Sequence, residues 1–138
     1  MKTECTKKRY HFQALGRRDI VADFSGGTIT SDGGGLLLRE VEKRTNILDR
    51  FAKCFIDHRD QKRIEHTVQE LISQRVYGLA LGYEDLNDHD DLSRDKLLAV
   101  MVGKADPTGS YRELKRDRDK PLAGKSTLNR LELTPEDA

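Results

Sequence analysis

Between residues 64 and 81 the apolar side chains return every third or fourth position, and that spacing commits the segment to a helix. Ile64, Val68, Leu71, Ile72, Arg75, Val76 and Leu79 fall at i, i+4, i+7, i+8, i+11, i+12 and i+15, with Arg75 the one polar member of the set. Such a stripe is one face of a 3.6-residue period. Gly82, just past the last apolar position, is a natural stop. A chain organised around this segment is expected to be mainly α.

The flanking sequence extends the helical pattern. Ser31 or Asp32 is expected to cap a helix that begins in the glycine run Gly33–Gly35 and turns Leu37, Leu38 and Val41 to one apolar face. Asn46 suits a left-handed break, after which Ile47, Leu48, Phe51, Ala52 and Phe55 continue at helical spacing. Leu92, Leu97, Leu98 and Met101 mark a further helix capped by Asp95. Ser110-Tyr111-Arg112-Glu113 has the S-x-x-E form of a capping box and predicts a short basic helix that Pro121 must end. A last helix is expected near Ser126, with Leu128 and Leu131 facing inward. The one β-prone stretch, Asp19–Phe24, precedes the turn Ser25-Gly26-Gly27 and Thr28–Thr30, which predicts a hairpin over residues 19–30. At 138 residues one domain is expected. The division is a basic flexible arm at 1–18 and a small helical domain at 19–138.

Charge matters here through its distribution. Lys and Arg number 25 against 24 Asp and Glu, a net charge of +1, which by itself argues nothing about partners. Lys2, Lys7, Lys8, Arg9, Arg17 and Arg18 make the N-terminus basic. Arg112, Lys115, Arg116, Arg118, Lys120, Lys125 and Arg130 do the same near the C-terminus, while Glu84, Asp85, Asp88, Asp90, Asp91 and Asp95 lie between. Separated basic blocks suit phosphate contact, although a charged run is as often a solvated face. Cys5 and Cys54 are isolated, so neither a disulfide nor a Cys–His metal set has support. No apolar run reaches a membrane span, and no apolar segment follows the basic N-terminus as a secretory signal requires.

Several motifs fail on inspection. Gly124-Lys125-Ser126-Thr127 resembles a phosphate loop, but the position that needs the first glycine is Asp119. Gly82–Asp90 superficially resembles a calcium loop, yet His89 and Asp90 stand where the fifth and sixth loop positions need an oxygen ligand and a glycine. A structural role fits better, with Asn87 or Asp88 capping a helix and Asp85 accepting backbone hydrogen bonds. His11, His58, His66 and His89 are scattered without ligand spacing, and no nucleophile-elbow motif is present. The C-terminal basic helix, the turn through Pro121-Leu122-Ala123-Gly124 and the helix STLNRLE together read as a helix-turn-helix or as an ordinary helical hairpin. In the first case Lys125, Ser126, Thr127, Asn129 and Arg130 would face DNA, with Arg112, Lys115 and Arg116 on the preceding helix.

The segments TSDGGGLLLREV (30–41), DHRDQKRIEHTVQELISQRVYGLALGYEDLNDHDDL (57–92) and PLAGKSTLNRLE (121–132) closely resemble the start of DDE transposases of the insertion-sequence 1380 group. The resemblance runs from about residue 20 to residue 132, and QRVYGLALGYEDLNDHD is its most specific part. Lys96 stands where the family commonly has Pro, and Gly124-Lys125 where it has Ser-Gln, which weakens the cap of the last helix. The resemblance implies a ribonuclease-H-like domain in which Asp, Asp and Glu hold two divalent metals, Mg in the usual case. Those carboxylates lie downstream in the family, so no catalytic residue and no metal or other cofactor is expected within this chain. The implied function is a DNA-binding and assembly segment of a transposase, acting on double-stranded transposon-end DNA in the bacterial cytosol or nucleoid. The alternative is a remnant that pairs with full-length transposase, or with itself, and modulates it. A small metal enzyme using His58, His89 and nearby acids is a third, weaker reading.

Overall fold

The computed structural model describes residues 9–24 and 30–134. Strands β1 (Tyr10–Leu15) and β2 (Arg18–Ala22) form an antiparallel hairpin, followed by helices α1 (Gly35–Thr45), α2 (Ile47–Ala52), α3 (Val68–Ala80), α4 (Asp88–Leu92), α5 (Lys96–Val102) and α6 (Lys125–Glu132). The mainly α reading with one small N-terminal hairpin is therefore correct. The hairpin itself sits earlier than expected: the β-prone stretch after Asp19 pairs backwards with Tyr10–Leu15. The turn is Gly16-Arg17, and Gly16 takes the positive φ of +59° that a two-residue hairpin loop needs. Within the stretch read as an arm, Tyr10–Leu15 is strand; residues 1–8, and residues 25–29 with the expected turn and most of the expected partner strand at 28–30, lie outside the described residues.

The hairpin is irregular for a reason that α1 supplies. Phe12 pairs with Ile20 and Leu15 with Arg18, so β1 carries one residue more than β2 between these points. The bulge turns Phe12 and Leu15 to the same half-buried side. Polar groups freed at the bulge are taken by α1: Arg39 donates from Nη1 to the Gln13 carbonyl (2.6 Å) and from Nη2 to the Ala14 carbonyl (3.2 Å), and Glu40 accepts from the Gln13 N–H (2.8 Å). Arg39 is accordingly one of the most buried side chains described, at 2% exposure. Leu36 and Arg39 are the core side of α1, while Leu37 and Val41 face outward, a correction to the expected apolar face. The expected Ser31 or Asp32 cap is also absent. Residues 31–34 form a turn and α1 begins at Gly35, while the Asp32 carboxylate accepts from the Tyr83 hydroxyl at 2.7 Å. Gly35 is held close to α5, where a Cβ would come within 2.6 Å of Met101 Sδ.

α3 is the spine. Ile64 is not part of it: the helix starts after Thr67, whose hydroxyl accepts from the Glu70 N–H (3.2 Å) while Glu70 accepts from the Thr67 N–H (2.9 Å). Its buried residues are Leu71, Ile72, Ser73, Gln74, Tyr77 and Gly78, whereas Val76 and Leu79 are exposed. The core face is therefore rotated from the one the apolar spacing predicts. Arg75 explains part of the rotation. It is half-buried as a clamp, bonding the Glu132 carboxylate of α6 and the carbonyls of Tyr83 and Glu84. The main core joins Leu36, Leu48, Ile72, Tyr77, Leu98, Met101 and Val102, and a smaller cluster joins Leu71, Ala123 and Leu128. The left-handed Asn46 (φ +52°), the Asp95 cap on the Leu98 N–H (2.8 Å) and the inward Leu128 are as expected. Asp85 accepts from the Asn87 N–H as expected, but Asn87 starts α4 without a side-chain cap bond.

Candidate functional site

The capping box expected at Ser110 does not form. Ser110 donates its N–H and hydroxyl to Asp106 Oδ2, Thr108 bonds Asp106 Oδ1, and the chain stays in turns. Among the described residues between α5 and Pro121 the only helical feature is a single 3-10 turn, Lys115–Asp117. A helix-turn-helix needs a first helix here, so that geometry is absent. Hydrogen bonding to Ser110 and Thr108 holds the Asp106 carboxyl well below the usual carboxylate range.

Arg112, expected at the DNA surface, is drawn inside instead. It is 8% exposed, with Nη2 2.8 Å from Glu65 Oε2 and 3.9 Å from Asp117, and Nη1 3.0 Å from His66 Nε2. A guanidinium has no acceptor, so His66 must accept through an unprotonated Nε2. Burial, then the charges of Lys104, Arg112 and Arg59, lowers the His66 pKa to about 3. Lys104, itself 4% exposed, bonds Glu70 at 2.8 Å and the Glu65 carbonyl. These contacts fix residues 104–117 against the start of α3.

The segment leading into α6 is also buried and held by side chains far away in sequence. Gln74 Oε1 accepts from the Ala123 N–H (3.0 Å), and Gln74 Nε2 donates to the Ala123 carbonyl (2.8 Å) and to His89 Nδ1 (3.1 Å). The Leu122 N–H reaches the Ser93 carbonyl. Because both amide hydrogens of Gln74 are used, His89 accepts at Nδ1 and carries its proton on Nε2. That Nε2 has no partner among the described residues. The fully buried ring lies over Gly78, where a Cβ would come within 2.9 Å of its Cε1. Burial and the nearby Arg75 push the His89 pKa down, against the opposing charges of Asp88, Glu132 and Asp90.

Together these anchors set α6 beside the 112–120 turn, and a cleft of about 570 Å³ lies between them. Arg94, Arg116 and Lys120 line it with Ser126 and Thr127 from the first turn of α6. The acids around it are largely engaged: Glu65 by Arg112, Asp117 by Arg112 and Arg116, and Asp90 by the Lys125 N–H (3.0 Å). Asp91 also lines the cleft. Arg94 and Lys120 have no ion-pair partner among the described residues, and Arg116, 3.6 Å from Asp117, is 81% exposed. The cleft thus presents Arg94 and Lys120 as unpaired cations, beside an Asp91 carboxylate that has no ion-pair partner among the described residues either.

Of the residues singled out from the sequence, the cleft collects Arg112, Arg116, Ser126 and Thr127. Lys125 stands at its edge, with Nζ on Asn87 Oδ1 at 3.0 Å. Lys115 and Asn129 are exposed outside it, and Arg130 lies on the opposite side of α6, in an apolar groove. Arg94 and Lys120 were missed as a pair. Lys120 belongs to the basic C-terminal block, but nothing local places Arg94 beside it. Among the described residues no group of three or more His, Cys, Asp or Glu is placed to hold a metal ion, and no helix is long and apolar enough to cross a membrane.

Residues 12–138 match the family model described as Transposase DDE domain group 1. No curated protein and no solved structure matches the chain.

Proposed function

The chain belongs to the transposase DDE domain group 1 family, and from that premise we propose that it is a DNA-engaging helical segment of an insertion-sequence transposase, of the 1380 group, working on double-stranded transposon ends. The observation that carries the proposal is the cleft where Arg94 and Lys120, which have no ion-pair partner among the described residues, and the 81% exposed Arg116 meet the hydroxyls of Ser126 and Thr127. A DNA phosphate supplies what these groups lack: negative charge and several acceptor oxygens. Lys125 stands at the edge of the cleft, and the exposed Lys115 and Asn129 would extend the contact along the backbone. The cleft supplies charge and hydroxyls but no base-reading helix, so affinity exceeds sequence selectivity. Divalent-metal chemistry belongs to DDE transposases as a family. The described residues offer no carboxylate set that fits such ions, and no strand-transfer step is assigned to this segment.

The test is binding to a terminal inverted-repeat duplex and a scrambled duplex across a range of salt concentrations. With about four phosphate contacts, the log–log slope should be close to −3.6. Arg94→Ala and Lys120→Ala should each weaken binding to both duplexes equally and reduce the slope by about one. No binding to either duplex at low salt would refute the proposal. Full retention of affinity in the Arg94→Ala/Lys120→Ala double variant would refute the cleft as its seat.

A further inference from the structure

On the side of α6 away from the cleft runs a groove of about 360 Å³, with Val68 of α3 at its floor, Phe55 and Ile56 on one wall and Leu131 and Leu133 on the other. It is unusually apolar for a surface: Ile56 is 63% and Leu133 71% exposed. The apolar character continues along α2, where Phe51 packs edge-on against Phe55 (ring centroids 5.4 Å apart) and Ile47 follows one turn earlier, both half exposed. Isolated exposed apolar residues mean nothing, but a contiguous strip ending in a groove marks a contact surface.

The charge around the groove selects its occupant. Asp57, the one carboxylate lining it, is neutralised by Arg59 through two hydrogen bonds of 2.7 and 2.8 Å. Arg130 also lines the groove and has no ion-pair partner among the described residues. The rim is therefore positive. A second copy docking face to face would set Arg130 near Arg130, whereas an amphipathic helix with Asp or Glu beside its apolar ridge satisfies both the floor and the rim. We propose that this groove is the docking site of an acidic amphipathic helix on a protein partner, on a surface that adjoins the DNA cleft at Thr127 and shares no other lining residue with it.

The probe is a labelled synthetic helix of about four turns, with leucine at i, i+4, i+7 and i+11 and glutamate on the flanking positions. Its control keeps the same leucines and carries lysine in place of glutamate. Fluorescence anisotropy against the whole chain should show the glutamate peptide binding at least about tenfold tighter than the lysine peptide. Arg130→Glu should reverse that preference. Ile56→Ser and Leu133→Ser should each weaken the glutamate peptide about tenfold or more, with the melting temperature and DNA affinity unchanged because both side chains are exposed and lie outside the cleft. Equal binding of the two peptides, or binding of neither, overturns the proposal. So does a dimer seen by light scattering that Leu133→Ser converts to monomer, since a second copy would then be the occupant. Because DNA binding is read in the same variants, loss of the peptide contact and failure of the DNA proposal remain distinct results.

Discussion

Replacing Gln74 by leucine removes a buried amide that makes three hydrogen bonds and leaves a side chain of similar size. In the native chain Gln74 is 1% exposed and pairs with both backbone groups of Ala123 and with His89 Nδ1. The Ala123 N–H, the Ala123 carbonyl and the imidazole nitrogen would all lose a partner where solvent does not reach. Each such group costs about 1–3 kcal/mol, and the better transfer of leucine offsets about 2 kcal/mol of the sum. The expected net loss is roughly 1–7 kcal/mol, against the 5–15 kcal/mol typical of a domain. Urea unfolding should show a lower midpoint with an unchanged slope. Gln74→Glu supplies the informative contrast. One carboxylate oxygen still accepts from the Ala123 N–H, while the other faces the Ala123 carbonyl and His89. A proton on His89 would relieve that repulsion, so in this variant the folded-state pKa of His89 rises. Its stabilising contribution should appear as pH is lowered through that pKa, the reverse of the native chain. If Gln74→Leu costs under about 1 kcal/mol, or Gln74→Glu loses stability between about pH 8 and pH 5.5 with the same slope as the native chain, whose His66 contribution both share, the assigned network is wrong.

Other outcomes follow from the same contacts. His66 and His89 have folded-state pKa values below 6.5, so the unfolded chain binds more protons in acid and stability should fall as pH drops below about 6.5. The slope should approach about 1.4 kcal/mol per pH unit for His66, continuing towards about 3, with a contribution of the same sign from His89; a flat profile from pH 7 to 4.5 refutes both as buried neutral groups. Gly78→Ala places a methyl within 2.9 Å of the His89 ring and should cost about 1–3 kcal/mol by overpacking, whereas Gly78→Ala/His89→Ala should be less destabilised than the two single losses added together. The isolated chain should neither nick nor join DNA with Mg or Mn present; nicking that disappears on Asp88→Asn or Asp90→Asn would show that this acidic segment is catalytic after all.

What the sequence alone determined was whatever neighbouring residues settle among themselves. Asp95 caps the helix three residues ahead, Asn46 adopts the left-handed break, Gly82 (φ +98°) ends α3, and Leu128 turns inward on α6. The family, too, was legible, because TSDGGGLLLREV, QRVYGLALGYEDLNDHD and their neighbours carry it as local strings. Two segments with the same capping-box form show where such reasoning stops. Thr67-Val68-Gln69-Glu70 does open a helix, helped by Lys104, which holds the Glu70 carboxylate from 34 residues away. Ser110-Tyr111-Arg112-Glu113 does not, because Asp106 takes the serine and His66 and Glu65 pull Arg112 into the interior. The tertiary structure likewise decided which face of α3 is buried. Apolar spacing favoured Val76 and Leu79, but Gln74 is worth burying once Ala123 and His89 arrive from 49 and 15 residues away to satisfy its amide. Arg39 enters the core only because a bulge in β1 frees two carbonyls for it, and Arg94 joins Lys120 and Ser126 only after Gln74 has fixed the path into α6. The physical reason is common to all of these. A polar group is costly to bury until its partner is in place, and when that partner lies tens of residues away no local window of sequence contains both halves of the interaction.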